Sequence, residues 1–162
     1  QQTQGARAQL ELGTHRLYAW RDTLYFERLS PNTSTVPDQL TVSFPSLVDW
    51  GRYQLAFAEC SESASNAIAY AGELRLTCRD KLQEHPSEVK SSLKKRFQQA
   101  RIPPWHRGTY PVCLDAAGLL VIPGVWRRSE LALSSTAVMG SLTKAKHCTI
   151  ICRPVAAAMI ET

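Results

Sequence analysis

Leucines and aromatic residues alternate with polar ones through QLELGTHRLYAW (9–20) and TLYFERL (23–29). That period of two predicts two strands, joined by a short turn around Arg21-Asp22. SPNTSTVPD (30–38) is dense in Pro, Ser, Thr and Asn and reads as a loop. Alternation returns in QLTVSF (39–44), and another strand is expected from Trp50-Gly51 through RYQLAFAE. ECSESASNAIAYAG (59–72) is mostly small and polar, the composition of a linker or long loop between two units.

GELRLTC (72–78) restarts the strand pattern, with Leu74 and Leu76 on one face and Arg75 and Thr77 on the other. The period then changes. Val89, Leu93, Phe97 and Ala100 recur at helical spacing, with Ser87 as cap and Glu88 in the first turn, where a negative charge suits the helix dipole. At about 100° per residue, Lys90, Lys94 and Arg101 fall on one flank of that stripe, Arg101 near or past the helix end, and Lys95 points outward. Pro103 and Pro104 force the helix to stop by Ile102. PVCLD (111–115) and LLVIPGVW (119–126) follow as apolar strands around an Ala-Ala-Gly turn, and HCTIICRPV (147–155) is a further candidate strand.

The stretch RIPPWHRGTYP (101–111) is therefore a rigid corner after a basic helix. Two consecutive prolines favour an extended, stiff chain, so Arg101, His106 and Arg107 are expected at set positions on the surface. Trp105 is expected to pack as a plug beneath the helix stop, with base stacking as the lesser alternative.

Charge sharpens this picture. The net charge of the 162-residue chain is +5. Residues 73–133 hold 11 Lys/Arg against 6 Asp/Glu, and the remainder holds 8 of each, so the whole excess sits in one segment. A focused excess suits a polyanionic partner, although a solvated basic face has the same composition. Five cysteines at irregular spacing argue against a disulfide framework and favour a reducing compartment. His147, Cys148 and Cys152 lack the second ligand pair that a zinc site needs. No apolar run approaches the roughly 18 residues of a membrane helix, and QQTQGARAQL has neither an initiator Met nor an apolar signal region. A cytoplasmic protein, cut from or processed out of a longer chain, is the resulting expectation. The sequence has no GxxxxGK[ST] or SGGxDS-like phosphate loop, no GxSxG and no HExxH, so neither nucleotide binding nor covalent catalysis is expected of these residues.

SLKKRFQQARIPPWHRGTYPVCLDAAGLLVIPGVW (92–126) strongly resembles the C-terminal domain of bacterial tRNA(Ile)-lysidine synthase. Leu93, Lys94, Lys95, Phe97, Ile102, Pro103, Pro104, Trp105, Arg107, Pro111, Pro123 and Gly124 match its helix, its (V/I)PPW-x-R corner and its VPG-like turn in order and spacing. Arg75 falls where that family often has Arg. The likeness covers roughly residues 8–130 and is strongest over 91–126. KLQEHPSEVKSS (81–92) departs from the family, which places glycines before the helix, so binding here would lean on side chains and not on a backbone phosphate nest.

The resemblance implies an α+β fold, a small mixed sheet packed with a basic helix as in a phenylalanyl-tRNA synthetase β-chain domain, preceded by a short β-rich segment. It divides the chain into a connecting segment (1–72), a tRNA-binding domain (73–133) and a tail of unassigned role (134–162). In that family the full enzyme ligates lysine to cytidine 34 of the isoleucine tRNA with the CAU anticodon, using ATP and magnesium in an N-terminal domain. The part resembled here would grip the tRNA through Arg75, Lys90, Lys94, Lys95, Arg101, His106 and Arg107, without catalysis, metal or cofactor of its own. A free-standing RNA-binding module and a structural interaction domain that binds no nucleic acid stay open beside it.

Overall fold

The computed structural model describes residues 9–28, 36–82, 93–129 and 145–155. The chain divides into two compact units, Gln1–Thr35 and Val36–Thr162.

The first unit is a three-stranded antiparallel meander of β1 (Gln9–Leu12), β2 (His15–Trp20) and β3 (Thr23–Arg28). The alternating run 9–20 is thus two strands and not one, because a turn at Gly13-Thr14 folds it back in the register Leu12↔His15. The Arg21-Asp22 turn is where the pattern placed it, with both residues at positive φ, as a type I′ hairpin loop requires. None of these strand residues is buried, and Leu10, Leu24 and Phe26 are exposed.

Among the described residues, the second unit holds two antiparallel sheets, one α-helix and two short 3-10 helices. β4 (Gln39–Thr41), β8 (Arg75–Cys78), β9 (Pro111–Asp115), β10 (Gly118–Ile122) and β11 (Trp126–Arg127) form a sheet ordered β11-β10-β9-β8-β4. β5 (Ser46–Trp50), β6 (Tyr53–Glu59), β7 (Ile68–Tyr70) and β12 (Lys146–Pro154) form the other, ordered β5-β6-β12-β7. Every described pairing is antiparallel, so the sheets are not mixed in the parallel-antiparallel sense, while the strand-rich architecture with a helix holds.

Residues from both sheets share one core: Leu55 and Phe57 of β6 with Leu76, Val112 and Ile122 of the larger sheet, each at most 1% exposed. Full burial of such a side chain contributes on the order of 1.5–3 kcal/mol. Cys113 and Cys148 are buried in that core and Cys152 lies half-buried at its edge, all as free thiols. Burial disfavours the thiolate, pushing Cys148 up to about 12 and Cys152 up to about 11.

Four local readings change. QLTVSF keeps strand geometry only to Thr41, short of the cis Phe44-Pro45 bond. Trp50 ends β5 and does not open β6, because Gly51 takes a positive φ of 59° in the turn between them. The 59–72 stretch contains β7, whose Ile68 and Tyr70 are buried. LLVIPGVW breaks into β10 and β11, since Pro123 offers no ladder donor and Gly124 turns the chain at φ 69°. HCTIICRPV lies in β12 up to Pro154, placed between β6 and β7.

Candidate nucleic-acid interface

The basic helix α1 is described over Leu93–Gln99. Leu93 and Phe97 are buried on its inner face, as the period of 3.6 requires, and Lys94 and Lys95 are exposed. Ser87, Glu88, Val89 and Lys90 lie outside the described residues. Phe97 packs edge-on against Tyr110, with ring centroids 5.4 Å apart, and Tyr110 donates its hydroxyl to the Pro123 carbonyl at 2.7 Å. Burial raises the Tyr110 pKa well above the ordinary phenol value, which keeps that hydroxyl a donor.

The helix ends in a Schellman turn. Ile102 N–H donates to the Phe97 carbonyl at 3.0 Å and Arg101 N–H to that of Gln98 at 3.2 Å. The left-handed residue this motif needs is Arg101, at φ 56°, where glycine is the common occupant. Left-handed backbone costs a non-glycine residue about 1–2 kcal/mol, and glycine loses about 0.5–1 kcal/mol of chain entropy on folding. Arg101→Gly is therefore expected to stabilise the protein by about 0.5–1 kcal/mol, read as a raised midpoint in urea denaturation. A lowered midpoint would mean that the exposed arginine makes a stabilising contact worth more than its strain.

Pro103 continues in extended geometry (φ −59°, ψ 147°), but Pro104 opens a 3-10 turn over Pro104–His106. The corner is thus tighter than an extended proline pair, with His106 N–H bonded to the Pro103 carbonyl at 3.0 Å. Trp105 is half-buried beside His106, and the buried rings around the corner are Phe97, Tyr110 and Trp50. Trp50, 1% exposed, donates Nε1–H to the Thr109 carbonyl at 3.1 Å.

Of the expected binding residues, Lys94, Lys95 and Arg101 are exposed cations. Arg107 is half-buried: its Nε donates to the Ile102 carbonyl at 3.0 Å and its guanidinium carbon lies 5.7 Å from the Phe97 ring centre. It ties the corner to the helix end. His106 is not displayed on the surface. It is 8% exposed, and its Nδ1 lies 3.0 Å from Nη1 of Arg52. A guanidinium can only donate, so Nδ1 accepts and the ring proton sits on Nε2.

Arg75 lies apart from the corner. It opens β8 opposite Leu114, three positions along the strand from the Cys78↔Pro111 pair, or roughly 10 Å. Its Nη2 donates to the Asp115 carbonyl at 3.3 Å. Asp115 is fully buried and takes a bidentate pair from Arg128 at 2.9 and 2.6 Å, plus backbone N–H donors from Ala71 and Ala117 at 2.9 Å each. Neither the Asp115 network nor the Arg52–His106 contact left a signal at short sequence spacing.

Among the described residues no group of three or more His, Cys, Asp or Glu is placed to hold a metal. A cavity of about 190 Å³ is lined by Tyr110, Val121, Pro123, Gly124, Ile150 and Cys152. None of these lining side chains is charged. No described helix is long and apolar enough to cross a membrane.

No curated protein matches the chain. Residues 73–139 match the family model described as the TilS substrate C-terminal domain, and the match spans α1, the corner and β8 to β11. This segment, with its Lys-Lys helix closed by Arg101 and its Pro-Pro-Trp corner, is thus similar to the C-terminal domain of tRNA(Ile)-lysidine synthase.

Proposed function

We propose that the chain is the tRNA-recognition part of a tRNA(Ile)-lysidine synthase and works in the cytoplasm. It positions the isoleucine tRNA with the CAU anticodon and performs no chemistry itself. The parent enzyme would ligate lysine to cytidine 34 in a separate domain that uses ATP and magnesium. The fold expected is that shared with the phenylalanyl-tRNA synthetase β-chain domain.

The observation that supports this most is the coincidence of the family match with the exposed cations Lys94, Lys95 and Arg101, carried by the helix and its end, which lead into a corner held by internal hydrogen bonds. A fixed corner reduces the ordering entropy lost when phosphates dock. Side chains carry the contact, since 81–92 contains no glycine.

Filter binding of a CAU-anticodon isoleucine tRNA transcript across salt concentrations tests the reading. Each phosphate contact releases counterions and steepens the log–log slope by about 0.7–0.9. A slope of several units is expected. A slope near zero would eliminate nucleic-acid binding and leave the structural interaction domain.

A further inference from the structure

The turn between β5 and β6 is fastened to the corner at two points, the Trp50–Thr109 bond at 3.1 Å and the Arg52–His106 bond at 3.0 Å. The end of β12 joins the same place, since Val155 N–H donates to the Arg52 carbonyl at 2.7 Å. Two exposed arginines arrive this way from outside the 73–139 segment. Arg52 is on the turn, and Arg153 of β12 stands opposite Gln54. Asp49, also opposite Gln54, accepts a hydrogen bond from its Nε2 at 2.9 Å and offsets part of this charge.

Because His106 accepts from Arg52 through Nδ1, this contact brings no opposing charge to the guanidinium. The buried ring therefore acts as a holder for a cation supplied by another strand pair. From these contacts we infer that the anion-binding surface is composite. Arg52, held by His106, and Arg153 extend the phosphate-binding face of the corner onto the four-stranded sheet. Recognition then needs residues 36–72 and 145–155 as well as the family-matched segment. The inference rests on the tRNA reading above, and a polyanionic RNA backbone is the partner it fits.

The test is a salt titration of the intact 162-residue chain with the same tRNA transcript, using wild type, Arg52→Ala, Arg52→Lys and Arg153→Ala. Each alanine variant is expected to reduce the magnitude of the log–log slope by about one and to weaken binding across tRNA sequences alike. Arg52→Lys retains the charge and is expected to restore the slope. A steep wild-type slope left unchanged by both Arg52→Ala and Arg153→Ala would overturn the composite surface while sparing the tRNA reading. A flat wild-type slope would remove both. Should Arg52→Ala fail to fold, the Arg153→Ala slope decides, because Arg153 is an exposed side chain near the end of its strand.

Discussion

Arg128→Met is expected to cost the second unit about 3–5 kcal/mol, because it strands a buried carboxylate. Asp115 is fully buried and the Arg128 side chain is 11% exposed, so this ion pair is not of the weak, solvent-screened kind. In the native protein each carboxylate oxygen accepts one guanidinium N–H and one backbone N–H. Without Arg128, only the Ala71 and Ala117 amides would remain to balance a full charge. The double change Asp115→Asn with Arg128→Met removes both charges and is expected to recover part of the loss, since the unpaired charge is gone while one of the two backbone N–H donors loses its acceptor. Urea denaturation checks both variants through the midpoint at an unchanged m-value. A single-variant loss below about 1 kcal/mol would mean that water reaches the carboxylate when the arginine is gone.

That network shows where sequence reading stops. Asp115 and Arg128 lie 13 positions apart, and Arg75 reaches the Asp115 carbonyl from 40 positions away. Nothing in the local pattern joins them. The helix face was legible because Leu93 and Phe97 repeat within one turn of each other and answer to a local period. The Arg21-Asp22 turn was legible for the same reason, lying between two alternating runs. β7 was not, because Ile68 and Tyr70 give only one cycle of alternation inside a small, polar stretch, and its burial comes from pairing with β12, far along the chain.

The corner divides in the same way. Its stop was readable from Pro103 and Pro104, and its likeness to the lysidine synthase domain from the spaced run between Leu93 and Gly124. The state of its cations was not. Spacing alone could not distinguish Arg101, which is exposed, from Arg107, which is spent on the Ile102 carbonyl, or place His106 against an arginine 54 residues earlier. Three-dimensional closure sorted these side chains into displayed charge and internal fastening.

The sorting predicts which variants separate binding from folding. A triple variant, Lys94→Ala, Lys95→Ala and Arg101→Gly, is expected to weaken tRNA binding by roughly two to three orders of magnitude at about 0.1 M salt. Removing three cations that each neutralise a phosphate, at about 0.9 in slope apiece on a duplex-like stem, accounts for that figure, and the slope itself should fall by about two to three. Thermal stability should hold, because both lysines are exposed on α1 and glycine suits the left-handed position that Arg101 occupies. Arg107→Ala should behave differently. It removes the Nε bond to Ile102 and the cover over Phe97, so its midpoint should fall, and any loss of affinity would follow the loss of fold. Measuring slope and denaturation midpoint on both proteins distinguishes the roles. If the triple variant bound tRNA with an undiminished slope, the cations of α1 would be a solvated face, and the docking surface would have to lie elsewhere on the unit.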